Sequence, residues 1–131
     1  MNFEEVMYVA NEKNPFSQLI GMKMIELNED HSVGILPIND KLLNPHGMLH
    51  GGAYYTLADT VAGVLSRTDN KKGVTLEGKM NFIKGACSGT TIKAIAKFLH
   101  KGKKTGVITV MIYDEAENVL ATGIYTMFFI D

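Results

Sequence analysis

The segment 53–65, AYYTLADTVAGVL, constrains the fold more than any other part of the chain. From Ala53 through Ser66 the only formal charge is Asp59, and alanine, valine, leucine and glycine recur all round the circumference a helix would have. A surface helix carries a wide polar face, whereas a helix that is apolar on every side has to be enclosed by protein. With 131 residues the chain has material for one domain with a single substantial core, and not for two. The expected structure is one long central helix with the remainder, residues 1–131 as a single domain, wrapped around it.

That remainder reads as sheet. Val74 to Ile83, Thr91 to Leu99, Gly106 to Tyr113 and Val119 to Ile130 are rich in Val, Ile, Thr, Phe and Tyr, with polar turns between them. Ile92, Ala94, Ala96 and Phe98 alternate with Lys93, Ile95, Lys97 and Leu99, which predicts a strand with one face more buried than the other. Four successive strands with short links are most simply an antiparallel meander. Upstream, Met22 to Leu27 and Ser32 to Ile38 flank the polar turn 28–31 and read as a hairpin. Phe3, Val6, Met7 and Ala10 predict a short amphipathic helix over 2–12, broken at Asn14-Pro15. The fold class is α+β, a curved antiparallel sheet of about five to six strands around one helix.

Charge and composition narrow the function. The formal net charge is −1 and no basic block is present, so neither nucleic acid nor an anionic membrane surface is expected as a partner. Cys87 is the only cysteine, and His31, His46, His50 and His100 are scattered, so neither an internal disulfide nor a metal site is expected. The N-terminus, MNFEEVMYVANEK, is acidic and unlike a signal peptide, and no apolar run approaches the ~20 residues of a membrane span. A cytoplasmic location is the expectation.

Just before the central helix lies NPHGMLHGG, Asn44 to Gly52, and the helix then carries Asp59. His-Gly-Gly with an asparagine six residues before its histidine and an aspartate nine after it is a fairly specific pattern. Together with VTLEGKMNFIKGA (74–86) and HKGKKTGVITVMIYDEAENVLATG (100–123), it resembles the hotdog-fold acyl-CoA thioesterases, in their phenylacetate-pathway branch, over roughly residues 18–130. The resemblance implies that Asn44 orients the substrate or the attacking water, and that His50 helps hold the thioester. It implies that the Gly51 N–H, beside Gly52, polarises the thioester carbonyl, and that Asp59 is the nucleophile or general base. Thr75 falls where relatives carry a Ser or Thr that assists the water. Tyr54, the strand end Phe82-Ile83-Lys84 and the turn Lys101-Gly102-Lys103 would line the acyl-CoA path. Ile83-Lys84-Gly85-Ala86 departs from relatives that carry an arginine and a proline there, which puts the detailed grip on CoA in question. The resemblance further implies a homodimer at minimum, commonly a homotetramer, with no cofactor beyond the coenzyme A of the substrate.

Elementary chemistry supports the same roles. A helix N-terminus offers free N–H groups and the positive end of the dipole, and glycines let a carbonyl come close to that backbone. Such donors stabilise the oxyanion of a tetrahedral intermediate, and a carboxylate can activate water or attack directly. Eight residues of helix at 1.5 Å each place Asp59 about 12 Å along the axis from Gly51. A base and an oxyanion donor must both lie ~3 Å from atoms around one carbon. A second, antiparallel helix related by a two-fold axis would bring Asp59 of one chain to Gly51 of the other.

Plainer readings remain open beside these. Asp59 can be a structural carboxylate bonded to neighbouring hydroxyls, His50 a loop brace, Thr75 an ordinary strand residue and the lysines a solvated hairpin tip. Tyr54, Tyr55, Met48, Leu49 and Met80 fit an acyl pocket or the core equally well. A hydratase or dehydratase on the same fold, and a non-catalytic acyl-CoA sensor, are the competing functions.

Overall fold

The computed structural model describes residues 2–130. The chain runs α1 (Phe3–Glu12), α2 (Pro15–Ile20), β1 (Lys23–Leu27), β2 (His31–Pro37), a 3-10 turn (Asp40–Leu42), α3 (Gly51–Leu65), β3 (Lys72–Phe82), β4 (Thr91–Lys101), β5 (Thr105–Tyr113) and β6 (Val119–Ile130). The strands form one antiparallel six-stranded sheet in the order β1-β2-β4-β5-β6-β3. The sheet curls round α3, whose Leu57, Ala58, Val61, Ala62 and Leu65 are fully buried. Inward residues of the strands, Leu36, Ile92, Ala94, Ala96, Ile108, Val110, Ile112 and Tyr125 among them, close over the helix from the other side.

Two expectations need correction. The last four strands are not a simple meander: β4, β5 and β6 are, but β3 pairs with β6 at the far edge and not with its successor β4. The link 83–90 explains this, because it crosses the mouth of the sheet instead of turning back. Its backbone is fastened successively to Leu120, Leu49 and Ile38 on the way. Nor is α3 enclosed all round. Tyr55, Thr56, Asp59, Thr60 and Gly63, at helical i, i+1, i+4, i+5 and i+8 spacing, form a half-buried stripe, with Gly52 exposed at its head. One chain's sheet ends at β3, which leaves that stripe open beside an edge strand whose outer hydrogen-bonding side pairs with nothing among the described residues.

The break at Asn14-Pro15 is also the start of a helix. The Asn14 side chain caps Ser17 and Pro15 takes the first helical position, where its missing N–H costs nothing. At the other edge, β3 carries a bulge between Thr75 and Glu77. Strict alternation from Gly73 and Thr75 would turn Glu77 toward the helix; the extra residue instead keeps Glu77 outside, opposite Thr126, and turns Gly78 inward, opposite Tyr125. No side chain fits at residue 78, since a Cβ there would lie 2.2 Å from the Tyr55 hydroxyl and 2.6 Å from the Tyr125 ring.

Candidate active site

The start of α3 is shaped by its own histidine. His50 is the N-cap: its Nδ1 accepts the Gly52 N–H at 2.8 Å, so the helix begins at Gly51, two residues before the sequence-based expectation. That bond occupies the Gly52 donor. The Gly51 N–H, one residue earlier, has no acceptor among the described residues and is the free donor at the positive end of the helix. The ring of Phe82 packs beside Gly51, 3.5 Å from where its side chain would begin.

Asn44 holds the loop that delivers this helix. Its Oδ1 accepts the N–H groups of His46 and Met48 at 2.9 and 3.1 Å, which commits the carbonyl end and leaves the amide NH₂ for another partner. Leu43 and Leu49 bridge across the loop, and His50 N–H donates to Leu42, so the turn is closed on itself. Asn44, Gly51, Tyr54, Phe82, Ile83 and Lys84 line a single depression of about 260 Å³. Tyr54 is buried there, and its hydroxyl donates to the Lys84 carbonyl at 3.0 Å while its ring meets Phe82 edge-on. Burial, with the nearby Cys87 thiol, raises the pKa of Tyr54, which suits a hydroxyl that braces the site as a donor.

Asp59 sits elsewhere. Two turns further along α3, it accepts a 2.7 Å hydrogen bond from Thr75 Oγ1 and lines a separate groove of about 600 Å³ between α1, α3 and β3. The sequence-derived residues thus fall into two groups in one chain: the donor group with Asn44 and Gly51, and the carboxylate group with Asp59 and Thr75.

The expected coenzyme A contacts divide as well. Phe82 ends β3, whereas Lys101, Gly102 and Lys103 lie at the β4–β5 tip, beside the start of β3. Ten residues of strand, roughly 33 Å, separate the two ends. Lys101 pairs with Asp69 and lies over the Phe98 ring, 4.9 Å from its centroid. Lys71 donates to the Gly102 carbonyl at 3.0 Å and covers the Phe129 ring. Arg67, Lys71 and Lys72 line a further depression beside this tip, a cluster that reading the sequence missed. Its members come from one short stretch, 67–72, where Thr68, Asp69 and Asn70 interrupt the charges, so it reads as a polar exit loop and not as a basic run. Cys87 is exposed, consistent with a bystander thiol.

Comparison with known proteins agrees with this architecture. The Thioesterase superfamily model matches residues 46–121. ComA2 of Bacillus subtilis (strain 168) is 33% identical over 119 residues, covering 88% of this chain and 94% of its own. Acyl-coenzyme A thioesterase PaaI of Escherichia coli (strain K12) is 26% identical over 110 residues, 84% of this chain and 79% of its own. The solved structure of E. coli PaaI superposes with a TM-score of 0.91 at 25% identity, covering 98% of this chain and 91% of that one. A Streptococcus mutans structure bound to acetyl CoA matches with a TM-score of 0.80 at 28% identity, over 83% of this chain and 88% of that one. The chain belongs to the thioesterase superfamily, in its PaaI-like branch, and has the hotdog fold. Its activity is that of an acyl-CoA thioester hydrolase.

Proposed function

We propose that the substrate is a CoA thioester with an aromatic or a short- to medium-chain acyl group, and that it is cleaved at a site built from two chains. One observation carries the two-chain reading: the free Gly51 N–H and the Asp59 carboxylate open into different depressions of the same chain, about 12 Å apart along α3. A partner placed antiparallel along the open stripe of α3, with its β3 edge against this β3, sets Asp59 of one chain opposite Gly51 of the other. The same two-fold carries the basic β4–β5 tip of one chain toward Phe82, Ile83 and Lys84 of the other, restoring one CoA path from two halves. The working unit is a homodimer, paired again into a homotetramer, in the cytoplasm, and it needs no cofactor beyond the CoA of its substrate.

At this site the Gly51 N–H, with the dipole of α3 behind it, takes the charge that develops on the thioester oxygen. Asp59 takes a proton from water as it attacks the carbonyl carbon, or attacks that carbon itself and is released by water in a second step. Either way the C–S bond breaks, CoA leaves as the thiol and the acid is freed. Thr75 fixes one carboxylate oxygen through its hydroxyl, leaving the other for the reaction. The Asn44 amide NH₂ is placed to orient the substrate or the water, and the His50 ring to flank the thioester.

The test is thiol release from a panel of aromatic and aliphatic acyl-CoAs by the purified protein, with Asp59→Asn and Asp59→Ala beside it. Loss of about 10²–10⁴ in kcat in both variants, with folding intact, is the expected result for a general base or nucleophile. No turnover by the wild type on any ester, with the esters still bound, makes the protein an acyl-CoA binding module instead.

A further inference from the structure

We infer that the groove between α1 and α3 receives the acyl group, and that Gly63 sets how large that group can be. The inference rests on the thioesterase reading above and names the part of the substrate that this groove takes. The reacting end of the groove is fixed by Asp59 and Thr75. Gly63 lies four residues after Asp59, on the same face of α3 and about 6 Å further along the axis. An acyl chain leaving the thioester carbon at Asp59 therefore runs over Gly63. Its walls there are apolar: Val6, Val9 and Ala10 of α1 on one side, Val74 of β3 on the other.

Gly63 itself is the second observation. A glycine inside a helix destabilises it relative to alanine, and is retained where a Cβ would collide with something. Here a Cβ would meet nothing within 4 Å. The space above Gly63 is thus not filled by the chain's own packing. A groove of about 600 Å³ lies within the ordinary range for small-molecule sites. An acetyl group is too short to reach the space above Gly63, about 6 Å along the axis from Asp59, whereas a phenylacetyl or octanoyl group is long enough to lie in it. At its rim Lys13 and Arg67 keep their charges in water while their stems can extend the apolar wall. The ligand class is a bulky, largely apolar acyl group.

The experiment compares kcat/KM for acetyl-, butyryl-, hexanoyl-, octanoyl- and phenylacetyl-CoA in wild type, Gly63→Ala, Gly63→Val, Gly63→Leu and Val9→Ala. Wild-type kcat/KM should rise about fourfold per methylene buried. Gly63→Val and Gly63→Leu should lower the octanoyl-to-acetyl ratio by about tenfold or more, with Gly63→Ala between them and wild type, and Val9→Ala should raise it. Thermal unfolding and solution mass are followed in each variant, and Gly63→Ala is expected to unfold at or above the wild-type temperature. An unchanged ratio overturns the assignment while leaving the thioesterase reading intact. An equal loss on every ester, acetyl-CoA included, also overturns it and gives the groove to the pantetheine arm. Dissociation of the Gly63 variants into single chains overturns it by giving the glycine to the partner contact. Absence of turnover by the wild type on all esters overturns both readings.

Discussion

Thr75 Oγ1 donates a 2.7 Å hydrogen bond to Asp59 Oδ1, and the same oxygen lies 3.5 Å from the Met127 sulfur. The bond fixes one carboxylate oxygen and the rotamer of Asp59, and the β3 bulge that follows lets Thr75 face the helix without bringing Glu77 with it. Thr75→Val keeps the branched shape and strand propensity but removes the donor. It should lower kcat about 10- to 100-fold, the worth of a hydrogen bond to a charged group, with KM nearly unchanged. Thr75→Ser should retain most of the activity. A Thr75→Val enzyme as fast as wild type in steady-state thiol release would reduce Thr75 to an ordinary strand residue.

His50 joins stability to function in one side chain. As the N-cap of α3 it satisfies the Gly52 N–H, so His50→Ala should cost about 1 kcal/mol of stability in urea titrations. His50→Asn can cap the same donor and should recover most of that loss. If the ring also holds the thioester, the Asn variant will be stable yet slow. Full activity in the stable Asn variant would confine His50 to capping.

How much of this was legible in the chain depends on distance along it. The central helix announced itself by the absence of any wide polar face, and the strand at Ile92 to Leu99 by its alternation, because both patterns are local. The place of β3 was not legible: which edge a strand joins is decided by a crossover, here the link 83–90 pinned to Leu120, Leu49 and Ile38. The short helix at Pro15 had its signal, an asparagine cap followed by proline, but the same pair also ends the helix before it. Within the site, Asn44, His50, Gly51 and Asp59 stood out because their spacing lies within one loop and one helix. The groove under α1 did not, since it is assembled from segments distant in sequence, and the cluster of Arg67, Lys71 and Lys72 did not because Thr68, Asp69 and Asn70 break up its charges within a polar loop.

The basic tip yields a prediction that separates its lysines. Lys101 is already paired with Asp69, whose carboxyl pKa the hydrogen bond and charge of Lys101 hold below the usual range. Lys103 is exposed and pairs with no carboxylate among the described residues, so it is the better donor to a CoA phosphate. Lys103→Ala should raise KM for acyl-CoAs roughly 2- to 5-fold, the range of an exposed ion pair, with kcat unchanged. The difference should shrink at high ionic strength. Equal KM values at low salt would remove this tip from the CoA path.

Tyr125 offers a test of the core. Its ring packs edge-on against Tyr55, centroids 5.5 Å apart, and its hydroxyl is buried with no partner among the described residues. Burial, reinforced by Tyr55 and by the charge of Asp59, raises its pKa well above the ordinary value. Tyr125→Phe removes an unsatisfied polar group and should raise stability by about 1 kcal/mol or more. The folded chain also keeps a proton that the unfolded chain gives up near pH 10. Stability should therefore hold below about pH 10 and fall as the pH rises above it, more shallowly in the Phe variant. Urea unfolding at pH 8 and at alkaline pH measures both effects, and a less stable Phe variant would reveal a hydrogen-bond partner for that hydroxyl.

A composite site makes a prediction that no single-chain site can. Asp59→Ala disables the carboxylate half and Asn44→Ala the half that carries Gly51. If each site takes one half from each chain, a mixed dimer holds one doubly damaged site and one intact site. Subunits of the two inactive variants, unfolded together and refolded as an equal mixture, should recover up to about a quarter of wild-type activity, since half the dimers are mixed and each has one good site of two. Each variant refolded alone should stay inactive. If both halves belonged to one chain, every site in the mixture would carry a defect and no activity would return. Recovered thiol release therefore decides between one chain and two without any knowledge of which acyl group the enzyme prefers.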